Sequence, residues 1–174
     1  MSETFDAMLT RRSVRSFKSD PVPQELVDKV IEAGLYAASG MNSQSSIVIQ
    51  ISDPETMDEL RRVNAEILGA KPGFDPFYGA PMALIVLANV DVFTYVYDGT
   101  LTMGNMMLAA HDLGLASCWV HRAKEEFESE FGRKLLEKLG LDDEWEGIGH
   151  LALGYADGPL PEAKPRSEGR AFRI

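Results

Sequence analysis

The sequence predicts one α+β domain with three layers, and two observations lead to that fold class. Short β-branched or aliphatic runs alternate with longer segments in which apolar residues recur every three or four positions. The chain has 174 residues, and no repeat, linker or low-complexity tract divides it, so residues 1–174 fit a single domain. The mixed order of strands and helices favours an α+β or α/β three-layer arrangement.

Three helices and two strands are predicted in the first half of the chain. In order, they are a helix at residues 4–9, a helix within 21–39, a strand at 46–51, a helix from 54 to before 69, and a strand at 82–90. Pro23 suits a first helical turn, and Asp53 suits an N-cap before Pro54. Both strands are rich in β-branched and aliphatic residues, and the second is apolar on both faces, which predicts full burial.

The second half is predicted to contain three helices and up to three strands. In order, they are a helix within 99–114, a strand at 115–121, helices at 124–130 and 132–139, a strand at 147–155, and a short terminal strand at 170–174. Asp98 is placed to cap the first of these helices, and Gly114 is placed to end it. That helix is apolar almost all round, as is typical of a helix buried in a domain or an interface.

Composition excludes several classes of function. A net charge of -10 argues against nucleic-acid binding, because that binding depends on excess Lys and Arg. The longest strongly apolar run, residues 82–88, is far shorter than the roughly 20 residues of a membrane span. No positive segment leads into an apolar signal region, so we expect a cytoplasmic protein. A single cysteine, Cys118, rules out an internal disulfide.

Positive charge is concentrated in two windows despite the acidic total. The first contains Arg11, Arg12, Arg15 and Lys18, and the second contains Lys164, Arg166, Arg170 and Arg173. Two interpretations are open: each window is a solvated face, or the two meet and form a positive site in a negative field. Such a site suits a small phosphorylated ligand, since the rest of the surface would repel a polyanion.

Familiar catalytic motifs are absent. The sequence has no GxxxxGK[ST] loop and no HExxH. The run GIGHLALG is not a dinucleotide fingerprint, because Ala152 replaces the third glycine and no helix can follow. The three histidines, His111, His121 and His150, have no metal-ligand spacing, and Cys118 in an apolar strand is typical of an inert small hydrophobe.

Four segments together resemble one protein family. They are RRSVRSF after a short helix, AASGMNSQ at the end of the next helix, DLGLASCWVHRAK where a helix passes into a strand, and LGYADGPLPEAKPR, a strand followed by a Pro-rich basic tail. Their order and spacing make the sequence similar to the FMN-dependent nitroreductase family. The resemblance implies a three-layer α/β/α sandwich around a central mixed sheet, within an intertwined homodimer.

The resemblance also implies an FMN site between two subunits. The residues expected at the phosphate and ribityl chain are Arg11, Ser13, Lys164 and Arg166. Those expected along the flavin are Arg12, Arg15, Trp119, Val120, His121 and Arg122. Those expected to reach FMN from the second subunit are Ser39, Gly40, Met41, Asn42 and Gln44. Independently of the resemblance, arginine forks match phosphate oxygens well. The tail at about 156–174 is expected to extend onto the partner, and the apolar helix around Met106 is expected to pack in the dimer core.

Two departures from the family pattern are visible. Many relatives follow NSQ with Pro-Trp, whereas Ser45 and Ser46 stand here, which affects the packing behind the flavin loop. The stretch between Val90 and Asp98 is short, where larger relatives carry an inserted helical excursion. We therefore expect a more open pocket, lined by aromatic residues drawn from Phe74, Phe77, Phe93 and Tyr95.

By this resemblance the chain is an FMN-dependent oxidoreductase with a ping-pong cycle. NADH or NADPH would deliver hydride to flavin N5, and a small electron-poor compound, such as a nitroaromatic or a quinone, would then be reduced. No side chain is expected to be catalytic, because the flavin carries the chemistry. The alternatives are a flavin-binding redox sensor or FMN store, a structural protein without cofactor, and an enzyme that dehydrogenates or reductively dehalogenates another substrate.

Overall fold

The computed structural model describes residues 2–142 and 144–174, and these contain six α-helices and four β-strands. The helices are α1 Glu3–Thr10, α2 Gln24–Leu35, α3 Pro54–Leu68, α4 Tyr95–Asp112, α5 Ala123–Glu128 and α6 Glu130–Leu139. The strands are β1 Ser46–Ile51, β2 Met82–Asn89, β3 Ala116–Val120 and β4 Trp145–Gly154. None of the described helices is long and apolar enough to cross a membrane.

Helix α3 shows how local signals set element ends. The Asp53 side chain accepts a hydrogen bond from the backbone N–H of Thr56 at 2.9 Å, and Pro54 occupies the first turn. Gly69 ends the helix in the left-handed conformation, with φ of 66°. Both predicted boundaries of this helix are confirmed, because each depends on residues within one turn of it.

The sheet has the order β1-β2-β4-β3, and its three strand pairs are antiparallel. The α+β class is therefore confirmed. A mixed sheet, with parallel and antiparallel pairs, was expected. Among the described residues, the parallel pairing is limited to one bridge between Ser13 and Ser117. The predicted terminal strand at 170–174 is wrong for this chain, since those residues form no strand here.

Two cores separate three layers, as predicted. Along β2, Ala83, Ile85 and Leu87 face one core, while alternate residues such as Leu84 face the other. The first core contains residues of α3, α5 and α6, and the second contains residues of α2 and α4. Every residue of β2 except Asn89 is buried, which confirms the burial predicted from its apolar run.

Helix α4 packs on the sheet of its own chain. Met103 and Met106 are wholly buried in the second core, together with residues of β2 and β4. A Cβ added to Gly34 of α2 would lie 2.5 Å from Met106 Cγ, so the two helices approach closely. Met106 is therefore buried within one chain, and the expectation that this helix packs in the dimer core stays a prediction. The exposed apolar residues of α4 are instead Val96, Tyr97 and Leu101.

Candidate functional site

The basic segment at residues 11–18 follows α1 and is fixed by backbone pairing. The Val14 N–H donates to Ser117 O at 3.0 Å, and the Lys18 N–H donates to Tyr155 O at 2.9 Å. Val14 and Phe17 point into the first core. Because the backbone and these two apolar side chains hold the segment, its cationic side chains are not needed to fix it.

The three arginines of this segment have different surroundings. Among the described residues, Nη1 of Arg11 is buried and has no hydrogen-bond partner. Nη1 of Arg12 donates to the carbonyl groups of Leu9 and Arg11 at 2.8 and 2.7 Å. Arg15 is exposed, and its guanidinium carbon lies 5.9 Å from the centre of the Tyr78 ring. Nε of Arg12 is likewise buried without a partner among the described residues, so each of the three arginines keeps a donor available for an anion.

Cys118 lies beneath this cationic group. Burial raises the pKa of its thiol, while the charges of Arg15 and Arg11 and a hydrogen bond with Ser13 act in the opposite direction. These effects place Ser13 and both guanidiniums near one sulfur atom. The thiol is buried and its pKa is raised, which fits the inert role predicted for Cys118.

The loop at residues 39–44 has an unusual backbone. Met41, Asn42 and Gln44 have positive φ values of 51°, 56° and 50°. Each such residue costs about 1–3 kcal/mol and persists only when its surroundings enforce it. The side chains of these three residues are exposed. The loop therefore maintains strain while presenting an amide-rich, solvent-facing surface.

Asp98 holds the loop in this strained conformation. Its carboxylate accepts hydrogen bonds from the backbone N–H of Gly40 at 2.9 Å and from the hydroxyls of Ser43, Ser45 and Thr94 at 3.1, 2.8 and 3.0 Å. Burial alone would raise the pKa of Asp98, but these hydrogen bonds outweigh it and lower the pKa. The prediction that Asp98 is a helix cap is wrong, because α4 begins at Tyr95 and places Asp98 in its first turn.

The departure at Ser45 and Ser46 also has a local explanation. The Ser45 hydroxyl is one of the four donors to Asp98, and Ser46 begins β1. A proline at position 45 could not make this contact. In this chain the packing behind the loop is therefore polar, built on a buried carboxylate.

Most side chains at the end of β3 are held by contacts within the chain. Val120 is buried and Trp119 packs over Gly149, while His121 is exposed. Arg122 has φ of 80°, and its Nε and Nη2 donate to Asn64 Oδ1 at 3.1 and 3.0 Å. Its guanidinium is therefore engaged within the chain. For Val120, the backbone is the part that can reach a ligand.

A buried polar group lies behind this strand end. Asn64 Nδ2 donates to His121 O at 2.9 Å and to the Glu126 carboxylate, and His150 Nε2 lies 2.5 Å from Glu126 Oε2. Both side chains of the His150–Glu126 pair are wholly buried. No sequence signal indicated this cluster, because its members lie in α3, α5 and β4.

The predicted tail residues, Lys164 and Arg166, form no hydrogen bond or ion pair with the basic segment in the described part of the chain. Asp157 N–H donates to Ser16 O at 2.9 Å, so the tail leaves the domain beside that segment. Beyond Asp157, residues 158–174 are exposed. Among residues 2–142 and 144–174, no hydrogen bond or ion pair involves this part of the tail. Lys164 and Arg166 are thus free of partners among the described residues, and their role at a phosphate stays a prediction.

Sheet topology keeps the basic segment and the 39–44 loop at opposite corners. The loop precedes Ser46 on edge strand β1, at the end of the sheet where β4 begins near Glu146. Ser13 bridges Ser117 on the other edge strand, whose partner on β4 is Leu153. Strand spacing and rise place these corners about 25 Å apart. Within one chain, the two regions therefore lie at separate corners of the sheet.

The predicted aromatic lining is only partly accessible. Phe77 is wholly buried, with its ring centre 5.4 Å from that of His150, so its expected place in an open pocket is wrong. Phe74 and Phe93 are exposed. Tyr95 is half-buried and donates to the Glu146 carboxylate at 3.1 Å.

His111 lies in the last turn of α4. His111 Nε2 lies 2.8 Å from Thr10 Oγ1 and links α4 to α1, in keeping with a polar residue at a helix end. Within the part of the chain that the structure describes, no three His, Cys, Asp or Glu side chains are arranged to hold a metal ion. Within one chain, the guanidinium groups therefore offer anion binding at one corner of the sheet, and the 39–44 loop offers polar contacts at the other.

Comparisons with known proteins identify relatives. A sequence model described as the nitroreductase family matches residues 8–155. A Methanothermobacter thermautotrophicus relative, named as an NADH dehydrogenase/NAD(P)H nitroreductase, is 30% identical over 67% of this chain and 60% of its own. An FMN reductase [NAD(P)H] of Bacillus subtilis is 29% identical over 67% of this chain and 47% of its own. The chain thus matches about half the length of these curated relatives.

A solved structure agrees over the whole fold. The crystal structure of a nitroreductase with bound FMN from Bacteroides fragilis has a TM-score of 0.90, with 26% identity, and covers 100% of both chains. A second nitroreductase with bound FMN, from Desulfitobacterium hafniense, has a TM-score of 0.88 with 25% identity over 100% of both chains.

Proposed function

Because this chain belongs to the nitroreductase family, we propose that it is an FMN-dependent oxidoreductase that takes electrons from NADH or NADPH. Its acceptors would be small electron-poor compounds, such as nitroaromatics or quinones. The buried, unpartnered Nη1 of Arg11, in a chain of net charge -10, carries the proposal. The relatives named for FMN reduction and the FMN-bound structures support it.

The residues of the basic segment fit the phosphate of FMN. A buried donor without a partner costs about 1–3 kcal/mol, and more when it is charged, so an anion beside Arg11 would remove that cost. The Ser13 hydroxyl and the exposed Arg15 lie close by, near Cys118. Lys164 and Arg166 would add to this site if the tail folds back toward residues 16–18, where it leaves the domain.

The protein's part in the reaction would be binding and electrostatics. FMN, when bound, would supply the two-electron chemistry between NAD(P)H and the acceptor. Arg15 has exposed donors and would stabilise the negative charge that reduction adds to the cofactor. The backbone beside Trp119 and Val120 would lie along the ring, since the side chain of Val120 is buried. We assign no proton-transfer step to the carboxylates and histidines described above.

The site would be completed by a second copy of this chain. The 39–44 loop and the basic segment lie about 25 Å apart within one chain, as strand spacing and rise require. The exposed Asn42 and Gln44 side chains can donate to and accept from ribityl hydroxyls. We therefore place the basic segment of one subunit opposite the loop of its partner, in a homodimer with two sites. The exposed side chains of Val96, Tyr97 and Leu101 offer apolar surface for that contact.

An absorbance spectrum of the purified protein, with the cofactor identified after denaturation, tests the proposal. We expect flavin bands, about one FMN per chain, and steady-state NADH or NADPH oxidation with an electron-poor acceptor. A colourless protein that takes up no added FMN would contradict the proposal. Bound FMN without turnover would favour a redox sensor or FMN store.

A further inference from the structure

Tyr78 has a backbone conformation that its side chain does not favour. Its φ is 57°, which is left-handed and an outlier for a bulky residue. The turn around it is enforced by Asp75, whose carboxylate accepts hydrogen bonds from the N–H groups of Phe77 at 2.8 Å and Gly79 at 2.6 Å. The chain thus maintains strain at Tyr78, as occurs where geometry serves function.

The strained turn directs the ring toward the basic segment. A Cβ added to Gly79 would lie 3.7 Å from Phe17 O, so the turn abuts that segment. The guanidinium carbon of Arg15 lies 5.9 Å from the Tyr78 ring centre, within the range of a cation–π contact. Phe74 meets the same ring edge-on, at 6.4 Å and 87°. The ring is therefore held between an aromatic neighbour and a cation.

Arg15 has little else to orient it. Its side chain is exposed and forms no hydrogen bond or ion pair with any residue in the ranges 2–142 and 144–174. An arginine without such contacts loses much side-chain entropy when it binds a ligand. The ring face next to the guanidinium reduces that loss and leaves the five N–H donors free.

We propose that Tyr78 is a positioning residue that holds Arg15 ready for the anionic edge of reduced FMN. This inference rests on the proposed function and deepens it. In this role Tyr78 would act through Arg15 and would not contact the reacting atoms. The backbone strain at Tyr78 is then the means by which the turn places an aromatic face under one specific cation.

Two substitutions separate the ring from the backbone. Tyr78→Phe keeps the aromatic face, and Tyr78→Asn removes it while tolerating left-handed φ. We expect the apo-protein of Tyr78→Phe to bind FMN within about twofold of the natural chain, whereas Tyr78→Asn binds about three- to tenfold more weakly. The reduction potential of bound FMN should fall in Tyr78→Asn, because the reduced cofactor would lose more binding free energy than the oxidised cofactor.

A double-mutant cycle with Arg15→Ala decides whether Tyr78 acts through Arg15. We expect the loss in Tyr78→Asn to disappear when Arg15 is already alanine. An equal loss in both backgrounds, or no loss in either, would overturn the inference without contradicting the proposed function. Tyr78→Leu repeats the cycle with apolar packing retained, in case the asparagine variant folds poorly. A natural chain that binds no FMN would overturn the proposed function and this inference with it.

Discussion

The 39–44 loop and the basic segment at 11–18 are held in place by opposite means. The loop is fixed through a buried carboxylate, Asp98, which accepts four hydrogen bonds from the loop and its surroundings. The basic segment is fixed through backbone pairing with β3 and Tyr155, and Arg11 keeps a buried donor without a partner. The polar groups of the loop are thus satisfied within the chain, whereas under the proposed function an anion would satisfy the free donor of the basic segment. Substitutions should therefore affect folding at the loop and ligand binding at the basic segment.

The largest effect is expected from Asp98→Asn. The amide faces four donors with one acceptor oxygen and adds donors of its own, which should lower the free energy of unfolding by about 3 kcal/mol. Thermal and urea unfolding measure the change. Asp112→Asn, at an exposed position of the same helix, is the matched control and should have almost no effect. Equal losses in both variants would remove the distinction between the two regions.

Arg11→Ala should have the next largest effect, on binding and not on folding. Removal of a charge-assisted hydrogen bond worth about 1.5–3 kcal/mol should weaken FMN binding about 10- to 100-fold. Titration of the apo-protein with FMN measures the affinity. Arg62→Ala removes an exposed arginine that pairs with Glu66 on α3 and should leave the affinity unchanged. An unaltered affinity in Arg11→Ala would show that the buried donor does not serve the ligand.

Gly40→Ala tests how tightly the loop is packed. An added Cβ would lie 2.3 Å from Thr94 Oγ1, and Thr94 also donates to Asp98. Overpacking of this kind should cost about 1–3 kcal/mol in unfolding experiments. Gly104→Ala on α4 is the control, since none of the described residues of its own chain lies within 4 Å of its added Cβ, and it should be neutral or stabilising. A neutral Gly40→Ala would indicate that the loop yields easily.

The smallest effect is a pH dependence confined to the loop. The pKa of Asp98 is lowered below its ordinary value of 3.8, because hydrogen bonds to the carboxylate outweigh burial. Its stabilisation is therefore full above pH of about 4 and is lost as the pH falls through the lowered pKa. The difference in unfolding free energy between the natural chain and Asp98→Asn should shrink below pH 4. A difference that stays constant down to pH 2 would contradict the role of the ionised carboxylate.

Elements encoded by local pattern were predictable from the sequence. Strand β1 has the predicted bounds, because six polar-flanked, largely β-branched residues suffice to mark it. Asp53 and Gly69 mark α3 through contacts within one turn. The basic segment was also visible, since its charge contrasts with the acidic total. The structure places it beside β3, and the predicted meeting of the two basic windows stays a prediction.

Features that depend on distant partners were not predictable. Asp98 looked like a cap because its neighbours in sequence allow one, but its partners Gly40, Ser43 and Ser45 lie more than 50 residues away. The sequence did not indicate the strained backbone at Tyr78, since the amino-acid type alone does not reveal whether a loop tyrosine has a positive φ. Phe77 was expected in an open pocket, yet it packs on His150, which only the sheet register places there.

The central claim is that the loop of one subunit and the basic segment of the other form one FMN site. Mixed dimers test it most directly: Arg11→Ala chains are combined with chains carrying Asn42→Ala and Gln44→Ala, and FMN binding is titrated before and after mixing. Each variant alone should bind weakly at every site. In mixed dimers, one of the two sites should regain the natural affinity, because both lesions then fall in the other site. Mixed dimers with no tight site would show that both regions act within one chain and would contradict the account.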